Sequence, residues 1–175
     1  MLLIALFASA ALAVTPGTYF PTADSFNPAN APGSSHLAKG SASPQCVVNA
    51  SLDVDCNAYT LGGVGHTNAT VDLKANYTAI VDCFNPADET NRNNPIESHT
   101  TTFTAESTAT VTSTKNGQLS VPEQSVSAGQ VGQVCPNPNW TPRIRPGTLQ
   151  LLSFTYTLTF EGFTSPYITI TASDP

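Results

Sequence analysis

A chain of 175 residues, 40% hydrophobic and 10% charged, is one domain's worth of sequence, with charge well below the roughly 25% of an average soluble domain. The formal net charge of -6 rests on six basic residues, Lys39, Lys74, Lys115, Arg92, Arg143 and Arg145; these are scattered, which argues against nucleic acid or an anionic membrane as partner. Thr, Ser and Asn carry the polarity instead, a composition that suits exposed strand faces and an extracellular setting.

The chain opens on an apolar run, Met1 to Ala13, that ends Ala11-Leu12-Ala13, the small-x-small pattern read by signal peptidase. A signal peptide over residues 1–13 with cleavage before Val14 is expected, although no Lys or Arg precedes the run; a buried N-terminal strand is the alternative. At about 12 apolar residues the run is too short to span a bilayer, and no other stretch nears the roughly 20 required. The remaining chain is therefore expected to be secreted, with no membrane span.

Residues 14–44 are crowded with Pro, Gly, Ala, Ser and Asn and show neither strand nor helix period, which predicts a disordered or extended arm. Its aromatics, Tyr19, Phe20 and Phe26, are candidates for docking on the domain or on a partner. The folded domain is expected over 45–175.

From Cys46 the period becomes two. Cys46, Val48, Ala50, Leu52, Val54 and Cys56 share parity around a bend at 49–53, the pattern of a hairpin. Three glycines, Gly62, Gly63 and Gly65, then mark a corner or bulge. The clearest strand follows, with Val71, Leu73, Ala75, Tyr77, Ala79, Val81 and Cys83 facing inward. After a polar loop at 85–95, residues 100–114 read as a strand with Phe103, Ala105, Ala109 and Val111 inward. Asn116-Gly117 predicts a type I′ turn, with 119–126 pairing back along 103–111. The last hairpin is 149–160, with Leu152, Phe154, Tyr156, Leu158 and Phe160 inward, and then 167–171. No segment reads as a helix. About seven or eight strands in two packed faces predict an all-β, antiparallel β-sandwich, immunoglobulin-like, with a closed barrel as the alternative.

Four cysteines, Cys46, Cys56, Cys83 and Cys135, are an even number in a chain that reads as exported, so two disulfides are expected. The favoured pairing is Cys46 with Cys56, across a tight hairpin, and Cys83 with Cys135. Metal binding is the weaker reading, because no Cys-x-x-Cys pair and no Cys near a His occurs. No metal and no cofactor is expected.

The succession of Gly63-Val64-Gly65-His66-Thr67-Asn68-Ala69, Val81-Asp82-Cys83-Phe84-Asn85-Pro86, Lys115-Asn116-Gly117 and Cys135-Pro136-Asn137-Pro138-Asn139-Trp140 resembles a group of uncharacterised small secreted β-sandwich proteins, mainly actinobacterial. The likeness covers most of 45–173 and rests on turn and disulfide features. It implies secretion and a β fold, and implies no activity.

Catalysis would need a base near neutral pH, and His36, His66 and His99 are the candidates; no nucleophile motif accompanies them, so no catalytic residue is assigned and the protein is expected not to be an enzyme. Asp53 with Asp55, and Asp82 with Asp88 and Glu89, suggest calcium without any matching loop spacing. Trp140, the only Trp, stands among Asn137 and Asn139, as an indole beside amides does in modules that stack a sugar ring; the plainer reading is that it plugs the sandwich end. Tyr59 and Tyr167 are further candidate platforms. Four sequons, at Asn49, Asn68, Asn76 and Asn139, are no more than composition produces by chance. The first expectation is a structural or interaction module at the cell surface, with an extracellular protein or a cell-surface glycan as partner. The alternatives are a carbohydrate-binding module using Trp140 and a protease inhibitor presenting Arg143 or Arg145 from the 84–98 or 135–148 loop.

Overall fold

The computed structural model describes residues 13–86, 94–129 and 131–173. The expected signal peptide, apart from Ala13, lies outside the described residues, as do Asp88, Glu89 and Arg92.

The fold is all-β and every strand pairing is antiparallel. The larger sheet is built on β6 (Ala69–Phe84). On one side β6 pairs along its length with β7 (Glu97–Val111). On the other side it pairs with β11 (Gln150–Phe160) over Ala69 to Thr78 and with the short β10 (Thr141–Ile144) over Val81 to Phe84. β12 (Ile168–Ser173) lies beyond β11.

Facing this sheet are two smaller ones, in the orders β1-β3-β4-β9 and β2-β5-β8. They comprise β1 (Gly17–Tyr19), β2 (His36–Leu37), β3 (Cys46–Val48), β4 (Val54–Cys56), β5 (Tyr59–Gly62), β8 (Leu119–Val121) and β9 (Gln124–Val126). Both contribute to one core with the larger sheet, and the chain passes from one to the other twice, from β4 into β5 and from β8 into β9. Pro122, which has no N–H to give a ladder, marks the second break.

Side chains from both layers make one core, in which Leu73, Tyr77, Leu151, Phe154, Tyr156 and Leu158 of the larger sheet meet Val48, Val54, Tyr59, Leu61 and Leu119 of the smaller ones. Two hydrogen bonds made by tyrosine hydroxyls cross it. Tyr59 and Tyr156 share a hydrogen bond of 2.8 Å between their hydroxyls, and Tyr77 donates to the carbonyl of Leu52 at 2.9 Å. Each pairing lets a buried aromatic keep its polar end satisfied.

The alternating pattern of β6 is realised as expected, with Val71, Leu73, Ala75, Tyr77, Ala79, Val81 and Cys83 all buried. Both expected disulfides are present. Cys46 and Cys56 face each other directly in the β3–β4 pair with Cα atoms 4.0 Å apart, and Cys83 joins Cys135 at a Cα separation of 5.8 Å. The intervening bend is tied by Asn49, whose side-chain oxygen accepts from the N–H groups of Ser51 and Asp53. At the glycine corner Gly63 has φ +71°, and a Cβ there would lie 2.1 Å from the carbonyl oxygen of Ser34; the corner requires glycine on both counts.

Three expectations are corrected. Residues 14–44 are extended but not detached. Val14 is buried with its N–H on the Leu151 carbonyl at 2.8 Å, β1 pairs with β3, β2 pairs with β5, and Tyr19 and Phe26 sit edge-on against Phe154 and Tyr167. The contacts come in runs of at most three residues from a Pro-interrupted chain, so they leave no period in the sequence; Phe20 alone of these aromatics is exposed, at 62%.

Residues 119–126 do not return along β7. Asn116 does not take the positive φ that a type I′ turn demands, only Gly117 does at +70°, and the chain crosses to the other layer. There Leu119 and Val121 are buried opposite Leu61 and Tyr59, a burial that a return along the outer strand would not give.

In β11 the register with β6 shifts between Leu151 and Ser153, so Leu151 is buried where Leu152 was expected to be. One residue inserted at a bulge flips the parity of what precedes it.

Candidate interaction surface at the stapled end

β6 runs on past the end of β11, and its last residues would lack cover were it not for the chain from Val131 to Ile144. Cys83, inward-facing and fully buried, is bonded to Cys135, a bridge across a sequence separation of 52 that pins this segment against the sheet. β10 then completes the ladder on Val81 to Phe84.

Between Cys135 and β10 the chain makes a compact turn. The Asn137 carbonyl accepts from the Trp140 N–H at 3.0 Å and from the Gln133 side-chain amide at 3.1 Å, and that amide also reaches the Trp140 carbonyl at 3.3 Å. The Asn137 side-chain oxygen accepts from the Asn139 N–H at 2.9 Å, the self-bonded turn that Asx residues favour. The structure thus brings Asn137, Asn139 and Trp140 together. Asn137 is half-buried with its side-chain oxygen in the turn, Asn139 is exposed and Trp140 is half-buried.

Arg145, just past β10, is fixed. Its guanidinium donates to both carboxylate oxygens of Asp82, at 3.1 and 2.7 Å, and to the Ser98 hydroxyl at 2.9 Å. The hydrogen bonds from Arg145 hold the Asp82 carboxyl below its ordinary range, against a smaller opposing push from burial and with further help from the Ser98 hydroxyl. Arg143, within β10, places its guanidinium 4.9 Å from the centre of the Phe84 ring. Neither arginine stands on a free loop, as the inhibitor reading requires.

Beside this staple lies an open groove of about 760 Å³, lined among others by Ser51, Asp53, Ala128, Pro142, Arg143 and Leu149. It joins the tip of the β3–β4 hairpin to β10. Asp53, which also accepts from the Asn49 amide at 3.0 Å, brings a carboxylate to the groove, and Ala128, Pro142 and Leu149 bring apolar surface; the Arg143 guanidinium is directed to Phe84, outside the lining. Such a groove suits a ligand with a hydrogen-bond donor or a positive group beside an apolar body. Trp140 belongs to the adjoining turn and not to the groove wall. No sequence signal pointed to this groove, since its lining comes from the β3–β4 bend, the segment before β10 and β10 itself.

The other candidates separate. Tyr59 and Tyr167 are buried, their hydroxyls engaged by Tyr156 and by the Ser35 carbonyl, so neither is a sugar platform. His66 is in the turn before β6, whereas His99 pairs opposite Val81 and sits 3.1 Å from Glu97; most of the length of β6, roughly 40 Å, divides them. His36 lies in β2, with its ring nitrogen 2.7 Å from the Ser34 carbonyl. Asp55 accepts from the Ser125 hydroxyl at 2.6 Å, and among the described residues no three His, Cys, Asp or Glu converge as metal ligands. The Asn76 side chain bonds Ser153 and Thr104, and that of Asn68 bonds Glu161 and the Ser113 N–H, which leaves Asn139 as the most open of the four sequon asparagines. Among the described residues no helix is long and apolar enough to cross a membrane.

Comparison with protein families, with curated proteins and with solved structures gives no match.

Proposed function

We propose that this protein is a secreted, non-enzymatic module, immunoglobulin-like in build, that binds an extracellular protein or glycan at the cell surface through its stapled end, and that it belongs with the small secreted, mainly actinobacterial proteins it resembles. The observation that carries the reading is the Cys83–Cys135 bridge, which anchors the chain before β10 beside a groove lined in part by Asp53, Ala128 and Pro142. A disulfide-held groove loses little freedom on binding, which is how a small surface gains affinity. The two disulfides fit an oxidising compartment.

A second reading, a sugar-binding module, is favoured by Trp140, whose ring is not fully buried and stands beside the exposed Asn139. Co-sedimentation of the oxidised protein with purified cell walls, chitin and cellulose, and capture on immobilised extracellular matrix proteins, tests both. Binding lost in Asp53→Ala and kept in Trp140→Ala supports the groove, and the reverse supports the sugar platform. Binding indifferent to both substitutions, or no binding to any of these surfaces, overturns the assignment to the stapled end.

A further inference from the structure

The larger sheet has two edges, and the chain treats them differently. Along β12 the N-terminal segment lies as a cover. The Thr22 N–H and the Ser25 hydroxyl bond the Thr169 carbonyl at 2.8 and 3.1 Å, and the Phe26 N–H bonds the Tyr167 carbonyl at 2.7 Å. Along β7, among the described residues, no strand pairs on the side away from β6. β9 approaches β7 through a side-chain contact, the Ser107 hydroxyl on the Gln124 amide oxygen at 2.6 Å, and adds no ladder.

An edge strand turns every second N–H and C=O outward, and proteins usually blunt such an edge with Pro, Lys, a bulge or brevity. β7 has none of these. It is 15 residues long, Glu-Ser-His-Thr-Thr-Thr-Phe-Thr-Ala-Glu-Ser-Thr-Ala-Thr-Val, and its register with β6 runs unbroken from Ala69↔Val111 to Cys83↔Glu97.

We infer that two copies of this chain pair edge to edge along β7, antiparallel about a two-fold axis at Thr104, so that their larger sheets become one continuous sheet. Thr104 is the midpoint of Glu97–Val111, and pairing centred there engages the whole strand. The charges agree with this register. Glu97 falls opposite the partner's Val111, and Glu106, already held by Lys74 at 2.7 Å, falls opposite the partner's Thr102, so no like charges meet. Thr100, Thr102, Thr104 and Thr108 are exposed on the outer face and would form a cross-strand threonine ladder. On the inner face Phe103, stacked on Tyr77 at 5.5 Å between centroids and only partly buried, would fall opposite the partner's Ala105. The apolar stripe that β7 leaves half-covered is thereby extended.

Sedimentation equilibrium of the full oxidised chain is expected to show the mass doubling between about 1 and 200 µM. Thr104→Lys sets two ammonium groups face to face at the axis and is expected to weaken dimerisation about tenfold or more. Thr104→Cys is expected to give an intermolecular disulfide on mild oxidation, while Thr100→Cys, which faces the partner's Thr108, is not. Both positions are exposed, so the melting transition should hardly move. A monomer throughout the concentration range, a dimer indifferent to Thr104→Lys, or cross-linking as efficient through Thr100→Cys as through Thr104→Cys overturns the inference.

Discussion

The hydroxyls of Tyr59 and Tyr156 meet 2.8 Å apart in the core, one from each layer of the sandwich. Each is the other's partner, so removing one strands its mate in a dry interior. Tyr59→Phe and Tyr156→Phe should each cost about 1–3 kcal/mol, and the double variant less than their sum, because two apolar ends replace an orphaned hydroxyl. Urea unfolding of the three variants measures the coupling. Strictly additive losses would mean that the bond contributes nothing of its own.

The same burial gives the protein an alkaline limit. Burial pushes the hydroxyls of Tyr77 and Tyr156 up to about 12 and that of Tyr59 well above its ordinary value. In the unfolded chain these groups ionise near 10 while the folded protein keeps their protons, so the folded state binds more protons and stability falls as pH rises from about 10 to 12. Melting temperatures across that window should drop steadily, and Tyr156→Phe should flatten the drop. A profile unchanged by the substitution would contradict the linkage.

The bulge in β11 separates two adjacent leucines by their burial. Leu151→Ala removes a fully buried side chain and should cost about 2–5 kcal/mol, while Leu152→Ala, outside the core, should cost less than about 1. Equal losses, or the reverse order, would place Leu152 inside and restore the uninterrupted alternation that the sequence alone suggests.

That contrast shows what the sequence carries and what it does not. The strict alternation of β6, the hairpin cysteines and the Cys83–Cys135 pair were legible because strand period and disulfide chemistry act locally or leave few options. The placement of 14–44, the crossing of 119–126 and the bulge at Leu152 were not, since each is decided by tertiary burial that overrides the local signal. The turn carrying Asn137, Asn139 and Trp140 was visible as a Pro- and Asn-rich loop beside a cysteine. The groove was not, because its lining residues come together only after both layers are assembled.

The two disulfides should differ in weight. Chain-entropy reasoning gives about 3 kcal/mol for the Cys46–Cys56 bridge, with its separation of 10, and about 4 kcal/mol for Cys83–Cys135, with its separation of 52. Denaturation of the paired Cys→Ser variants under oxidising conditions should show the larger loss for the second pair. A larger loss for the first would mean that native-state packing, and not loop closure, dominates.

The most direct test of the proposed function separates stability from presentation of the groove. Co-sedimentation with cell walls should be compared for Cys46→Ser/Cys56→Ser and Cys83→Ser/Cys135→Ser, at a temperature where both variants remain folded by circular dichroism. The account predicts that the first retains the binding of the native protein and the second loses it, because of the two bridges it is Cys83–Cys135 that anchors the chain leading into β10. Equal binding by the two folded variants would contradict it.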